Sequence, residues 1–201
     1  MRTYDEADIK ARLSRLDRAG RTAFAAACAE RMWPLFTRCV EATGMGDVTA
    51  LRTVLDDLWR AAGGEDVGDL SLAQATAEQM IPIDDGAWTL EVGYGQYATA
   101  AVAYAVRAWL TDDPQEATWA ARQIHEAADH AALCARPDLQ LNVPGTERLL
   151  LESPMVQTAL AGLATDLATV ESPSAAGQDD LRTRARDEGE AWAATLPGTD
   201  R

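Results

Sequence analysis

Apolar residues recur along almost the whole chain at the spacing of an α-helix, and this periodicity is the feature that most restricts the fold. Between positions 49 and 62 they fall on one face of a helix, because successive residues turn by about 100°. These apolar positions are Leu51, Val54, Leu55, Leu58, Trp59 and Ala62. Arg52, Asp56 and Asp57 fall on the opposite face. No segment alternates with the two-residue period of a half-buried strand. The chain is therefore predicted to be all-α.

The same periodicity predicts a single bundle of seven or eight helices. Their approximate ranges are 5–20, 22–44, 49–62, 70–80, 89–110, 114–133, 153–170 and 179–194. Gly20 is expected to end the first helix, since glycine readily adopts the left-handed conformation that follows many helices. Pro34 lies inside the second helix and is expected to kink it, because proline removes one backbone hydrogen bond and crowds the preceding turn.

The Ala-rich segment 89–110 is predicted to be a buried helix at the centre of the bundle. It is apolar on nearly every side between Tyr97 and Val106, and a helix without a polar face is buried. Of the six tryptophans, Trp88 and Trp192 are the two expected to be partly exposed.

The later part of the chain contains clear signals for a helix start and for a linker. Asp113-Pro114-Gln115-Glu116 has the elements of a capping box, which predicts a helix start there. Residues 1–171 are expected to form the helical bundle domain and residues 172–178 a surface linker. Residues 179–201 are expected to form a C-terminal helix packed on the same domain.

Charge and composition exclude several classes of protein. The chain has 18 basic and 32 acidic residues, a formal net charge of −14, so a nucleic acid is not expected as a partner. The longest uncharged run, 92–106, is shorter than the roughly 20 residues of a membrane-spanning helix, and no membrane partner is expected. The chain begins with acidic residues and no apolar stretch, which indicates a cytoplasmic protein. Its three cysteines have no metal-ligand spacing, and all three are expected to be reduced.

The two histidines, His125 and His130, do not indicate a metal site. Their spacing of five turns the second ring by about 140° from the first on a straight helix, so the two rings cannot reach one metal ion. His125 and Asp129 share a face, but the sequence offers no third ligand for them. The sequence also contains no glycine-rich phosphate-binding loop and no nucleophile motif such as Gly-x-Ser-x-Gly. No metal and no cofactor are therefore predicted.

The segment from Cys28 to Asp47, CAERMWPLFTRCVEATGMGD, is followed by the helix that carries Leu51 to Trp59. Together they resemble the YjaG-like family of uncharacterised bacterial proteins, the domain of unknown function 416. The resemblance covers most of the chain, although Ala29 separates Cys28 from Glu30 and Arg31, and the polar C-terminal ending of the family is replaced. It implies a helical fold and no established activity.

Two functions remain open from the sequence. The first is a protein-binding module that captures a basic partner, as small acidic immunity or antitoxin proteins do. Charge and the lack of a catalytic constellation favour it. The candidate contact residues are Asp56, Asp57, Glu65, Asp66, Asp69, Asp84 and Asp85.

The alternative is an enzyme or small-molecule binder with a polar pocket between helices. Glu30, Arg31, His125 and Asp129 are the candidate pocket residues, because a pocket with a few converging polar groups is the usual form of a ligand site. Whether the protein is an enzyme is left open, and binding is favoured over catalysis.

Overall fold

The computed structural model describes residues 1–82, 89–140, 142–172 and 177–198, and this part of the chain is all-α, as predicted. Nine helices and no strand occur within these ranges. They are α1 (Glu6–Leu13), α2 (Arg18–Thr43), α3 (Val48–Ala62), α4 (Ser71–Gln79), α5 (Leu90–Thr111), α6 (Pro114–Cys134), α7 (Thr146–Leu151), α8 (Pro154–Glu171) and α9 (Gly177–Ala193). The short α7 is the helix that the periodicity did not predict, because its six residues are too few to form a stripe.

The boundary between the first two helices differs from the prediction. α1 ends at Leu13, and Gly20 lies in the first turn of α2 instead of ending α1. The carboxylate of Asp17 accepts a hydrogen bond from the Gly20 amide at 2.8 Å and so caps the N-terminus of α2. α2 is not divided at Pro34, which lies inside one continuous helix.

The N-terminus of α6 contains half of the predicted capping box. The carboxylate of Asp113 accepts from the Gln115 amide at 2.8 Å, and Pro114 occupies the first turn. Glu116 does not reach back to Asp113. It lies buried and accepts a hydrogen bond from Arg107 of α5 at 2.7 Å, so the two residues form an ion pair between α5 and α6.

α2 lies at the centre of the bundle and packs against α3, α5, α6, α8 and α9. Its longest interface is with α5, the predicted Ala-rich buried helix. The two backbones come close where Gly95 faces Cys39, because a Cβ atom at position 95 would stand 2.8 Å from the Cys39 Cβ. None of the described helices combines the length and the apolar character that crossing a bilayer requires.

Candidate functional site

Two adjacent residues in the middle of α2, Glu30 and Arg31, organise the candidate site. α9 lies across this part of α2, and Gly189 allows the contact: a Cβ atom there would stand 2.8 Å from the Arg31 Cα. The side chain of Glu30 extends to one side of α9 and that of Arg31 to the other. Each meets a different set of charged groups.

Glu30 is the centre of the first set. Its fully buried carboxylate accepts two hydrogen bonds of 2.9 Å from the guanidinium of Arg52 in α3 and one of 2.9 Å from the Trp59 indole. Arg186 of α9 donates a further one at 3.2 Å. Burial acts to raise the pKa of the Glu30 carboxyl group, but the hydrogen bonds and charge of Arg52, with Trp59 and Arg182, outweigh it and hold the pKa below its ordinary value.

Asp56 belongs to the same set. Its carboxylate accepts from Arg52, one turn earlier in α3, at 3.0 Å and also from Arg182 of α9. Arg182 in turn lies 3.7 Å from the Glu30 carboxylate. These ion pairs connect α2, α3 and α9. Asp56, which was predicted to contact a partner, is therefore engaged within the protein.

Arg31 is the centre of the second set. Its Nε and Nη2 donate to the two carboxylate oxygens of Asp166 in α8, at 2.7 and 3.0 Å. Asp166 is fully buried and also accepts from Arg184 of α9 at 2.9 Å. The carboxylate of Glu188 lies 2.6 Å from Nη2 of Arg31. The third nitrogen of the guanidinium, Nη1, donates no hydrogen bond to the described part of the chain.

Gly162 of α8 fixes how Arg31 lies. A Cβ atom at this position would stand 2.7 Å from Cζ and 2.8 Å from Nη1 of Arg31, so the guanidinium packs on the bare backbone of α8. A side chain here would displace the arginine. Two glycines on different helices, Gly162 and Gly189, therefore make the space that the Arg31 residue occupies.

A cavity of about 460 Å³ opens between α8 and α9 directly beside Arg31. Its floor is formed by Arg31 with the buried apolar residues Ile124, Ala159 and Trp192. The rim carries Glu188 and the hydroxyl groups of Thr158, Thr165 and Thr195. An apolar cavity of this size with a few polar groups is typical of small-molecule sites, which usually occupy 300–1,000 Å³.

Two other cavities of the described chain differ in chemistry. One of about 360 Å³ lies among residues 138–149, and one of about 150 Å³ lies between the N-terminal segment and α8. Neither is lined by a buried charged side chain. The cavity between α8 and α9 is distinguished from both by Arg31.

The four residues predicted to share a pocket occupy three separate places. Arg31 lines the cavity, and Glu30 lies on the other side of α9. His125 stacks on Tyr4, with ring centroids 4.6 Å apart, and burial lowers the pKa of its imidazole. The interaction of Asp129 with His125 is electrostatic, without a hydrogen bond in the described chain. Neither His125 nor Asp129 lines the cavity beside Arg31.

The acids proposed for partner binding are largely engaged within the chain. Arg60 donates to both Asp57 and Glu65, at 3.0 and 2.9 Å. Asp66 and Asp69 accept hydrogen bonds from nearby backbone amides. Asp84 and Asp85 lie outside the described residues.

Sequence reasoning missed Asp166, Arg184 and Glu188, the partners of Arg31. Asp166 did carry a signal, because it is the single charged residue between Pro154 and Val170, beside the apolar stripe of α8. Trp192, expected to be partly exposed, is 3% exposed and forms part of the cavity floor. Trp88 lies outside the described residues.

Comparison with known proteins agrees with this fold and assigns no activity. A family model described as "Protein of unknown function (DUF416)" matches residues 8–191. The crystal structure of a DUF416 family protein from Shewanella baltica superposes with a TM-score of 0.76 at 17% sequence identity, covering 89% of this chain and 93% of that one. At this identity the likeness concerns the fold alone. A comparison with curated proteins finds no match.

Proposed function

The chain belongs to the DUF416 family, and from the geometry of its own residues we propose that it binds a small organic molecule in the cavity between α8 and α9. The family is the one that the segment Cys28–Asp47 resembles, and it supplies no activity to build on. The proposal therefore rests on the chemistry of the cavity.

The observation that carries the proposal is the buried guanidinium of Arg31 on the cavity floor. Arg31 is 4% exposed, yet Nη1 lies beside Gly162 at the cavity wall and donates to no acceptor of the described protein. A charged donor that borders a cavity and has no acceptor in the protein is available to a ligand, and hydrogen bonds to charged groups contribute about 1.5–3 kcal/mol. A bound molecule with an oxygen acceptor would satisfy this donor, while its apolar part would cover Ile124 and Trp192.

The size of the cavity sets the size of the molecule. Since a water molecule takes about 30 Å³, the volume of about 460 Å³ accommodates on the order of 15 non-hydrogen atoms. This is the scale of a metabolite with one polar head group and a short apolar body.

A pair of variants of α8 tests the proposal. Ala161 lines the cavity and Ala168 does not, so Ala161→Leu should fill the cavity while Ala168→Leu adds the same side chain elsewhere on the helix. A panel of neutral, cationic, anionic and zwitterionic small molecules is screened against the wild-type protein by thermal shift and NMR. Compounds that bind should lose at least about tenfold in affinity in Ala161→Leu and keep it in Ala168→Leu. Absence of any binder, or equal binding by both variants, would overturn the proposal.

A second candidate is capture of a basic protein by the loop between α3 and α4. It is supported by the exposure of Glu65, Asp66 and Asp69, among which Arg60 contacts only Glu65. Reversal of these three acids to lysine should reduce retention of basic host proteins at low salt several-fold, with an unchanged helical spectrum. The reason is that a negative patch attracts a positively charged partner and speeds its association. Lack of any retained basic protein with the wild type would remove this candidate.

A further inference from the structure

The charges beside the cavity do not balance without Glu188. Arg31 and Arg184 both donate to Asp166, so two positive groups share one fully buried carboxylate. The remaining positive charge is neutralised by Glu188, whose carboxylate lies 2.6 Å from Nη2 of Arg31. A buried positive charge without a counterion is costly, so this position requires an anionic group.

Glu188 differs from Asp166 in how firmly it is held. The Asp166 side chain has no exposed surface and accepts three hydrogen bonds, two from Arg31 and one from Arg184, whereas the Glu188 side chain is 46% exposed. Arg31 is the one group of the described chain with which Glu188 forms an ion pair. A half-exposed carboxylate with a single partner can rotate into solvent when another anion takes its place on Arg31.

We propose that the molecule bound between α8 and α9 is an amphipathic monocarboxylate, whose carboxylate replaces Glu188 on Arg31. This inference rests on the proposed function and names its ligand class. When Glu188 moves away, Nη1 and Nη2 of Arg31 present two donors to the cavity, and a carboxylate accepts both in the bidentate form that guanidinium groups favour. The apolar part of the molecule lies on Ile124, Ala159 and Trp192.

The charge count separates a monocarboxylate from other head groups. A single negative charge restores the balance that Glu188 maintains, whereas a dianion such as a phosphate ester overcompensates within a chain of net charge −14. A cation would face Arg31 and Arg184. A neutral head group could not replace Glu188 as the counterion of Arg31, and it would form only the hydrogen bond to Nη1.

Four probes with the same apolar chain test the ligand class by calorimetric titration: octanoate, octanol, octylamine and octyl phosphate. Octanoate should bind the wild-type protein at least about tenfold more tightly than the other three. Equal affinity for octanol or octylamine, or tighter binding of octyl phosphate, would overturn the inference. If one of these other probes bound better and Ala161→Leu abolished its binding, the cavity would still be a ligand site and the proposed function would stand.

Two glutamates of α9 provide matched variants. Glu188→Gln removes the competitor for Arg31, and Glu190→Gln makes the same change in net charge at an exposed position outside the cavity. Octanoate affinity should rise several-fold in Glu188→Gln and not in Glu190→Gln. A fall in affinity, or the same small change in both, would show that Glu188 is not displaced. Arg31→Lys, with folding checked by circular dichroism, should lose octanoate binding because lysine cannot form the bidentate pair.

Discussion

Gly189 of α9 lies directly on the backbone of Arg31 in α2: a Cβ atom at position 189 would stand 2.6 Å from the Arg31 carbonyl oxygen. This contact determines how close the C-terminal helix comes to the central one. It thereby brings Arg184 and Glu188 to the cavity side and Arg182 and Arg186 to the Glu30 side.

Gly189→Ala should therefore destabilise the protein by about 1–3 kcal/mol, since the added methyl group forces two backbones apart. Gly20→Ala is the control. Gly20 is also helical, but its nearest neighbours are side-chain atoms of Asp17 and Leu16 at 3.3 Å, and alanine favours helix. Urea unfolding measures both, and an equal effect of the two substitutions would contradict the close contact.

Glu30→Gln should cost about 3 kcal/mol at neutral pH, because it removes a buried carboxylate that several arginines share. The pKa of Glu30 is lower in the folded than in the unfolded chain, so its contribution is fully present above the unfolded value of about 4.3 and is lost as the pH falls through the folded value. Urea unfolding between pH 7 and pH 3 should show the wild type converging on the variant. The exposed Glu41→Gln should change stability little at any pH, and parallel curves for wild type and Glu30→Gln would contradict the prediction.

The three cysteines should react with a thiol reagent in two classes. Cys28 and Cys39 are fully buried, and burial raises the pKa of both thiols, which disfavours the reactive thiolate. Cys134 is exposed at the end of α6. One thiol should react promptly in the native protein and the other two only after denaturant is added. Prompt modification of Cys28 would contradict its place in the core.

Tyr94→Phe should cost about 1 kcal/mol and loosen the end of the chain. The Tyr94 hydroxyl donates to the Pro197 carbonyl at 3.1 Å, next to a bond of 2.9 Å from Arg38 to the same oxygen. Hydrogen exchange should become faster at the C-terminal end of α9. Tyr104→Phe is the control, because the Tyr104 hydroxyl makes no hydrogen bond in the described chain, and an equal loss of stability there would assign the effect to ring packing instead.

The helices themselves were predictable because their signal is local. Leu51, Val54, Leu55 and Leu58 are buried as their spacing predicts, and Leu181 and Ala185 of α9 are buried as well, whereas the burial of Trp192 was not predicted. The family was predicted from the segment Cys28–Asp47 together with the helix that carries Leu51 to Trp59, within a resemblance over most of the chain, and the family model matches residues 8–191. The helix boundary at Gly20 was not predictable, because the Asp17 carboxylate accepts from the Gly20 amide and so places this glycine in the first turn of α2.

The sequence by itself determined the all-α class, the main helices and the apolar face of each. The reason is that the fixed turn of a helix places residues three or four positions apart on the same face. It singled out Glu30 and Arg31 as polar residues on a buried helix, but it could not assign their partners. Only the tertiary structure decided that Arg31 meets Asp166, 135 positions away, and that Glu30 meets Arg186, 156 positions away. An ion pair of this kind depends on how helices cross, and the crossing here is set by Gly162 and Gly189, where the absence of a side chain leaves no periodic signal.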